Sequence, residues 1–223
     1  MKKIVSLILA AAILFAFTAC GSTNEAETTA PQTDDNSQTD DNGPSSTETK
    51  PDTEKTETNG KILVVYFSWS GNLDKMAHWV ADETGGDLVR VTAKEAYPDN
   101  YNDTANRAKK EQDDGVRPAI NVDLTVERFA EYDTVFFGFP VWWYDLPMPM
   151  WTLLESFDFS GKTVIPFFSH EGSSNGANAL PRLEELAKGA AVKSEAALSI
   201  RGGEVAGSEK AVKNWVNELG YSK

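Results

Sequence analysis

The chain from residue 61 onward contains runs of apolar residues that predict the strands of a sheet. Three of these runs are continuous, at residues 61–67, 134–139 and 163–168. Continuous apolar runs are typical of strands that are covered on both faces, as in a parallel sheet. Residues 87–91 alternate and predict an edge strand, whereas residues 196–200 are a weaker fifth candidate. Because Pro166 has no N–H to donate, we expect a local irregularity in the fourth strand.

Helical periodicity falls between these strands. A first helix is predicted by apolar residues spaced three and four apart, namely Leu73, Met76, Ala77, Val80 and Ala81, and Gly85 and Gly86 are expected to end it. A later helix is predicted by Leu180, Leu183 and Leu186. A last helix, with Ser208 as its N-cap, is expected to bury Val212, Trp215, Val216 and Leu219. This alternation predicts an α/β fold with a doubly wound, five-stranded parallel sheet and helices on both faces.

The first 20 residues have a different character. They contain two lysines, an apolar run that is short for a membrane span, and then Cys20, which is the arrangement of an export signal. Their end, Phe17-Thr18-Ala19-Cys20, is similar to a bacterial lipobox, in which the cysteine carries the lipid. An ordinary secretory signal is the alternative. We therefore expect a lipoprotein signal peptide at 1–20, lipidation of Cys20 and an extracytoplasmic location on the cell membrane.

Residues 21–60 are predicted to form a disordered acidic linker. They contain no Val, Ile, Leu, Met or aromatic residue, so they cannot bury enough apolar surface to offset the entropy of ordering. Residues 61–223 then form one domain with a substantial core. The net charge of −13 for the whole chain argues against a nucleic-acid partner. Because Cys20 is the only cysteine, the domain has no disulfide, no redox thiol and no thiolate metal site, and any redox chemistry must come from a bound cofactor.

Ligands of doubly wound sheets bind beyond the carboxyl ends of the strands, so the loops at that edge are the candidate site. The first loop reads SWSGN at 68–72 and precedes the first helix. A helix N-terminus attracts phosphate, Gly71 permits close approach of the backbone, and the polar side chains can donate hydrogen bonds. From this loop alone, a phosphate site and a plain turn with an N-cap are equally well supported.

The other two loops supply aromatic and polar groups. Trp142, Trp143 and Tyr144 lie between two prolines, and one of these rings is placed to lie flat against an aromatic ligand. Three adjacent rings cannot all point one way, so we expect at least one to pack inward. The third loop, at 169–176, is rich in glycine and offers backbone N–H groups to a polar ring edge. Its His170 is a candidate catalytic proton donor, and a surface histidine without a role is the alternative.

Several stretches of the domain resemble flavodoxin-like proteins. They follow one another in order and span essentially all of 61–223, with YFSWSGN at 66–72, AYPDNY at 96–101, GFPVWWYDLPMPM at 138–150, DFSGKTVIPF at 158–167 and SHEGSSNG at 169–176. The resemblance implies the sheet order 2-1-3-4-5 and non-covalently bound flavin mononucleotide (FMN). It also implies which residues bind the cofactor, namely Ser68, Trp69, Ser70, Gly71, Asn72, Leu73, Pro140, Val141, Trp142, Trp143, Tyr144, Ser169, His170, Glu171, Gly172 and Ser173.

Two positions depart from the flavodoxin pattern. Leu73 replaces a second hydroxyl residue, so phosphate is expected to be held more weakly or by the backbone alone. The loop at 140–145 lacks the glycine whose peptide flips in classical flavodoxins when the flavin takes up one electron. Because a residue other than glycine meets a steric cost at positive φ, we expect two-electron chemistry to be favoured.

Two classes of function follow. The first is an FMN-binding redox protein at the extracytoplasmic membrane face, passing electrons between an unknown donor and an acceptor such as a quinone or another carrier. The second is a flavodoxin-fold module that has lost FMN and binds another ligand or a protein. Leu73 and the expected location favour the second class, whereas the aromatic and glycine-rich loops favour the first.

Overall fold

The computed structural model describes residues 60–172, 176 and 178–223. The predicted signal peptide, the lipidation of Cys20 and all of the linker at 21–60 except Gly60 lie outside the described residues, as does Ser173. Within the described part, no helix has the length and apolarity needed to cross a membrane.

The centre of the domain is a mainly parallel sheet. Its parallel strands are β1 (Lys61–Phe67), β2 (Asp87–Ala93), β4 (Tyr132–Pro140), β5 (Thr163–His170), β6 (Ala191–Val192) and β7 (Leu198–Arg201). A short strand β3 (Ile120–Asn121) adds antiparallel to β2. The order is β3-β2-β1-β4-β5-β6, and β7 also pairs with β5. The five predicted strands therefore occur in the predicted order 2-1-3-4-5, and two strands of two residues each extend the sheet to seven.

The fifth predicted strand begins later than expected. Residues Ser194–Ala196 form a 3-10 turn, and β7 starts at Leu198. The irregularity expected at Pro166 lies on one side of β5 only. Pro166 pairs with Phe137 of β4 in an unbroken register, whereas on the other side β6 pairs with Thr163 and Val164 and β7 with Phe167–His170. The residue without an N–H thus lies where one neighbouring strand ends and the next begins.

Helices cover both faces of the sheet. They are α1 (Asn72–Thr84), α2 (Tyr101–Asp113), α3 (Val126–Ala130), α4 (Met148–Ser156), α5 (Ala179–Leu186) and α6 (Glu209–Glu218), with a second 3-10 turn at Gly202–Gly207. One apolar cluster joins α1 and α6 to Val64 and Tyr66 of β1. The other joins α4, α5 and Phe129 of α3 to Leu63, Val65 and Phe67. Successive residues of β1 therefore pack into opposite apolar clusters, as expected for a central strand.

The helix predictions agree with the structure at most positions. Leu73, Met76, Ala77 and Val80 are buried, and Gly85 ends α1 with a φ of 71°. Val212 and Val216 of α6 are buried as predicted, whereas Trp215 and Leu219 are only partly buried. The predicted cap at Ser208 is wrong in detail. Ser208 precedes α6, but its hydroxyl donates to the Val205 carbonyl oxygen at 2.9 Å, because the 3-10 turn before it presents that acceptor.

Candidate functional site

A cavity of about 560 Å³ opens at the carboxyl ends of the strands. Its volume lies in the range of about 300–1,000 Å³ typical of small-molecule sites. The structure brings the three predicted loops together here and adds one face of α2. The lining residues are Trp69, Ser70, Asn72, Tyr101, Thr104, Ala105, Ala108, Pro140, Val141, Trp142, Trp143, Tyr144, Ser169, His170 and Glu171.

The loop between β1 and α1 has the backbone geometry of an anion site. Gly71 has a φ of 87°, and a Cβ built on it would meet no atom within 4 Å. The first helical bond runs from the Lys75 N–H to the Gly71 carbonyl oxygen at 3.2 Å. The amides of Asn72, Leu73 and Asp74 precede that bond and have no acceptor within the helix. These amides and the positive end of the helix dipole lie beside the open space at Gly71.

The side chains of this loop divide into two groups. Ser70 and Asn72 line the cavity and are available to a ligand. Ser68 is buried, and its Oγ accepts a hydrogen bond from the Gly71 N–H at 3.2 Å, so its hydroxyl shapes the turn. Leu73 is buried in the core against the sheet, so only its backbone N–H is available to a ligand.

The aromatic loop after β4 is a two-residue turn in a left-handed conformation. The Trp142 N–H donates to the Asp145 carbonyl oxygen at 3.0 Å, and the Asp145 N–H donates to the Trp142 carbonyl oxygen at 2.9 Å. The residues between them, Trp143 and Tyr144, have φ values of 48° and 68°. Positive φ at both central residues defines the type I′ turn, which normally requires Gly, Asn or Asp. We call residues 142–145 the aromatic turn.

This conformation corrects one expectation from the sequence. The absence of glycine was expected to keep the loop out of positive φ, but two bulky residues already occupy that region. Such residues are strained by about 1–3 kcal/mol each and occur mainly where surrounding contacts hold them. The absence of glycine therefore does not keep this loop out of positive φ. The preference for two-electron chemistry stays a prediction, but the steric argument no longer supports it.

The three aromatic residues of this loop have different surroundings. Trp142 packs edge-on against Phe67 and Tyr97, with ring centroids 5.4 and 5.0 Å apart, so it is the ring that points inward. The Trp143 Nε1 donates to the Ala105 carbonyl oxygen at 2.8 Å, which ties this ring to α2. Trp143 and Tyr144 remain 43% and 49% exposed beside the cavity, so both rings are accessible to a ligand.

Asp145 connects the aromatic turn to α5. Its side chain is largely buried, and its Oδ1 accepts the Leu146 N–H at 2.7 Å. Its Oδ2 lies 3.5 Å from Arg182 Nε. Burial raises the pKa of Asp145 above its ordinary value, and the Leu146 N–H and Arg182 oppose this rise. The carboxylate is thus held under the turn at an electrostatic cost.

The residues of α2 that line the cavity were not predicted individually from the sequence. Tyr101, Thr104, Ala105 and Ala108 line the cavity, and the one sequence feature near them was the family match AYPDNY at 96–101. The Trp69 Nε1 donates to the Pro98 carbonyl oxygen at 3.0 Å, and its ring lies 6.4 Å from that of Tyr101. Pro98 and the N-cap Asn100, which accepts from two helix amides, were the available signals for a helix starting at this edge.

A buried polar pair supports the inward-pointing Trp142. Tyr97 donates a hydrogen bond to Glu111 of α2, and Arg107 pairs with Glu111 at 2.8 Å. The Arg107 guanidinium lies 4.2 Å from the centre of the Tyr97 ring. Burial, followed by the hydrogen bond to Glu111, raises the pKa of Tyr97, so the hydroxyl stays protonated. The orientation of the Tyr97 ring against Trp142 is therefore fixed by its hydrogen bond to Glu111 of α2.

The polar loop after β5 supplies the remaining predicted residues. The Ser169 carbonyl oxygen accepts the Val141 N–H at 2.8 Å, which holds the second and third loops together. His170 Nδ1 accepts the Gly172 N–H at 2.8 Å, so in the neutral ring the proton lies on Nε2. Glu171 lines the cavity, and Gly172 has a φ of 103°. Among the described residues, no group of acidic, histidine or cysteine side chains is placed to hold a metal ion.

Comparisons with known proteins identify the family. The flavodoxin family model matches residues 61–219. A candidate flavoprotein from Bacteroides uniformis is 34% identical with a TM-score of 0.60, over 71% of this chain and 98% of that chain. Another from Bacteroides eggerthii is 30% identical with a TM-score of 0.60, over 72% and 98%. A flavoprotein from Lactobacillus acidophilus, solved in complex with FMN, is 25% identical with a TM-score of 0.54, over 66% and 97%.

None of the curated proteins compared matches the chain. The family model alone spans well over half of the sequence, and it covers β1, the aromatic turn and the loop after β5 in one match. The chain therefore belongs to the flavodoxin family.

Proposed function

We propose that residues 61–223 form an FMN-binding redox domain that passes electrons between a donor and an acceptor. The observation that carries this proposal is the meeting, in one cavity, of an open helix N-terminus with an exposed aromatic wall. The first suits a phosphate and the second suits a flat ring. The flavoprotein from Lactobacillus acidophilus that was solved with FMN supports the same assignment.

The residues present fit this cofactor. The amides of Asn72, Leu73 and Asp74, with the side chains of Ser70 and Asn72, would hold the phosphate beside Gly71. Trp143 and Tyr144 would lie against the ring system, because they are the exposed rings of the aromatic turn. Donors for the polar edge of the ring would come from the loop that starts at Ser169. The bound flavin supplies the redox chemistry, by one- or two-electron transfer.

The chain's own residues then bind, orient and protect the ring. Trp142, packed against Phe67 and Tyr97, forms part of the cavity wall. His170 is held by the Gly172 N–H with its Nε2–H free to donate, so it is the candidate proton donor at the cavity wall. The acceptor that we propose is a neutral flat molecule such as a quinone. The described lining residues include no Lys or Arg that would pair with the phosphates of a nucleotide donor.

We further propose that the protein is anchored outside the cytoplasm through a lipid on Cys20. The support is the sequence alone, namely the apolar run that ends at the only cysteine. Growth with labelled fatty acid, followed by fractionation, tests this. We expect label and membrane association in the wild-type chain and neither in Cys20→Ser. A Cys20→Ser protein that stays labelled would contradict the proposal.

The decisive experiment for the function is a titration of residues 61–223 with FMN. This segment suits the test because both apolar clusters of the described residues lie within it, and because the family model matches residues 61–219. We expect flavin fluorescence to be quenched on binding, because an aromatic side chain contacts the ring. A folded domain that does not bind FMN would contradict the proposal and favour the alternative of a flavodoxin-fold binding module without a flavin.

A further inference from the structure

Arg90 lies behind the loop that joins β1 to α1. Its Nη2 donates to the Ser68 carbonyl oxygen at 3.1 Å, and its Nη1 lies 3.4 Å from Asp74 Oδ1. Ser68 begins the loop, and Asp74 lies in the first turn of α1. One planar guanidinium therefore joins the two ends of the turn that contains Gly71, which a point-like ammonium group could not do in the same way.

The contact between Arg90 and Asp74 affects the binding of an anion because Asp74 carries a negative charge. Its carboxylate lies at the helix N-terminus, where it interacts favourably with the helix dipole but repels a phosphate bound at the adjacent amides. Tyr66 Oη donates to the same Asp74 oxygen at 2.7 Å. Burial raises the pKa of Tyr66, and the hydrogen bond to Asp74 adds to this rise, so the tyrosine stays a donor. Among the described residues, Arg90 is the cation paired with the Asp74 carboxylate, whereas His78 Nδ1 contacts the Asp74 main-chain oxygen at 2.7 Å.

We propose that Arg90 is a positioning residue for the phosphate group. It holds Ser68 and Asp74 in place, offsets the Asp74 charge, and so sets the preference of the domain for a phosphorylated flavin over an unphosphorylated one. The inference rests on the proposed FMN function and deepens it. It assigns phosphate selectivity to a residue that does not line the cavity.

The molecule contains a matched control for this network. At the opposite end of β2, Tyr132 Oη donates to Asp87 Oδ2 at 2.5 Å, and Arg128 Nη2 lies 3.5 Å from the same oxygen. The side chains of Arg90 and Arg128 are 47% and 39% exposed. Asp87 begins β2, so this second Tyr–Asp–Arg network lies at the end of the sheet away from the cavity.

The test compares two probes that differ by the phosphate, FMN and riboflavin. Each is titrated into residues 61–223 carrying Arg90→Gln or Arg128→Gln. We expect Arg90→Gln to weaken FMN binding about five- to tenfold, a modest factor because the pair is half exposed, and to change riboflavin binding less than about twofold. Arg128→Gln is expected to change neither affinity, because its partner Asp87 lies far from the cavity.

A rescue variant identifies the charge that is responsible. In Arg90→Gln combined with Asp74→Asn, no uncompensated carboxylate faces the phosphate, and we expect FMN affinity to recover most of the loss. A double variant as weak as Arg90→Gln would overturn the role assigned to Asp74. Arg90→Lys keeps the charge but loses the simultaneous contact with Ser68 and Asp74, and we expect an FMN affinity between those of the wild type and Arg90→Gln.

The remaining outcomes separate this inference from the function on which it rests. An equal loss for FMN and riboflavin in Arg90→Gln would show a merely structural role and overturn the inference. So would an unchanged ratio of the two affinities, even if the wild-type domain binds FMN tightly. A wild-type domain that binds neither probe would instead overturn the proposed function itself.

Discussion

Two turns at the same edge of the sheet adopt left-handed backbone conformations by different means. In the loop between β1 and α1, Gly71 takes a φ of 87° in open space, without steric cost. In the aromatic turn, Trp143 and Tyr144 take φ values of 48° and 68° despite their side chains. The difference corresponds to what each turn presents. The first turn exposes backbone amides, and a side chain at Gly71 would block a ligand from reaching them. The second turn exposes aromatic rings, and glycine at these positions would remove the rings.

The strain of the aromatic turn is offset by neighbouring contacts. Two backbone hydrogen bonds close the turn between Trp142 and Asp145, and the Trp143 Nε1 is bound to the Ala105 carbonyl oxygen. The ring of Trp142 is anchored below by Phe67 and Tyr97. A strained backbone persists where the surroundings over-determine it, and this turn meets that condition. Four predictions test how far the comparison holds.

The largest effect is expected from removing the anchor of the aromatic turn. Trp142→Ala deletes a ring packed against the core, and we expect the free energy of unfolding to fall by about 3 kcal/mol. Trp143→Ala, at the neighbouring but exposed ring, is the control and is expected to lose less than about half as much. Urea denaturation of the flavin-free domain measures both. Equal losses would show that the inward-pointing ring does not anchor the turn.

The second-largest effect, a loss of FMN affinity, is expected from adding a side chain at Gly71. Gly71→Ala places a methyl group in the space where the phosphate would lie, and we expect FMN affinity to fall about tenfold or more through lost amide contacts to a charged group. Gly115→Ala is matched, because Gly115 also has positive φ (64°) and open space at its Cβ. Both variants are expected to lose about 1 kcal/mol of stability from backbone strain. Equal FMN affinity in the two variants would argue against a phosphate at Gly71.

The parts of this site that could be predicted from the sequence are those that depend on pattern and topology. Continuous apolar runs fixed which strands are central, and the parallel order then brought the loops at 68–72, 140–144 and 169–172 to one edge. The two-residue strands β3 and β6 are too short to carry any periodicity. A parallel sheet places its loops reliably, because the direction of each strand decides where the loop emerges.

The parts that could not be predicted depend on contacts between distant residues. The positive φ of Trp143 and Tyr144 is imposed by contacts to α2 and the core, and local preference argues against it. Arg90 lies at a polar position of an alternating strand, which favours a solvent-facing side chain, whereas its partners Ser68 and Asp74 come from another element. Thr104, Ala105 and Ala108 line the cavity from a helix whose sequence shows no apolar face that points to a ligand.

The third prediction measures the backbone strain directly. At most exposed positions alanine is more stable than glycine, by about 0.5–1 kcal/mol. At Tyr144 we expect the reverse, with Tyr144→Gly more stable than Tyr144→Ala by about 1 kcal/mol, because glycine relieves the positive φ. Tyr101 is the control, since it is an exposed aromatic that starts α2 in helical conformation, and there alanine is expected to be the more stable. The same order at both sites would show that the aromatic turn is not strained in solution.

The smallest effect is a pH dependence that originates under the same turn. Burial raises the pKa of Asp145, so the folded domain binds a proton there more readily than the unfolded chain does. The penalty for the charged form is fully present above the raised pKa and is lost as pH falls toward the ordinary value. Asp145→Asn removes this titration and keeps an acceptor for the Leu146 N–H. The stability of the wild type relative to Asp145→Asn is therefore expected to rise as pH falls through that window.

Asp158 provides the opposite sign within the same domain. Hydrogen bonds from Ser160 lower the pKa of Asp158, so its stabilising contribution is present above the ordinary carboxyl pKa and is lost as pH falls through the lowered value. The stability of the wild type relative to Asp158→Asn should therefore fall in acid, whereas that relative to Asp145→Asn should rise. Urea denaturation of the three proteins from neutral to acidic pH distinguishes the slopes. If the stability of the wild type relative to Asp145→Asn also fell in acid, Asp145 would not be held under the aromatic turn as a buried charge.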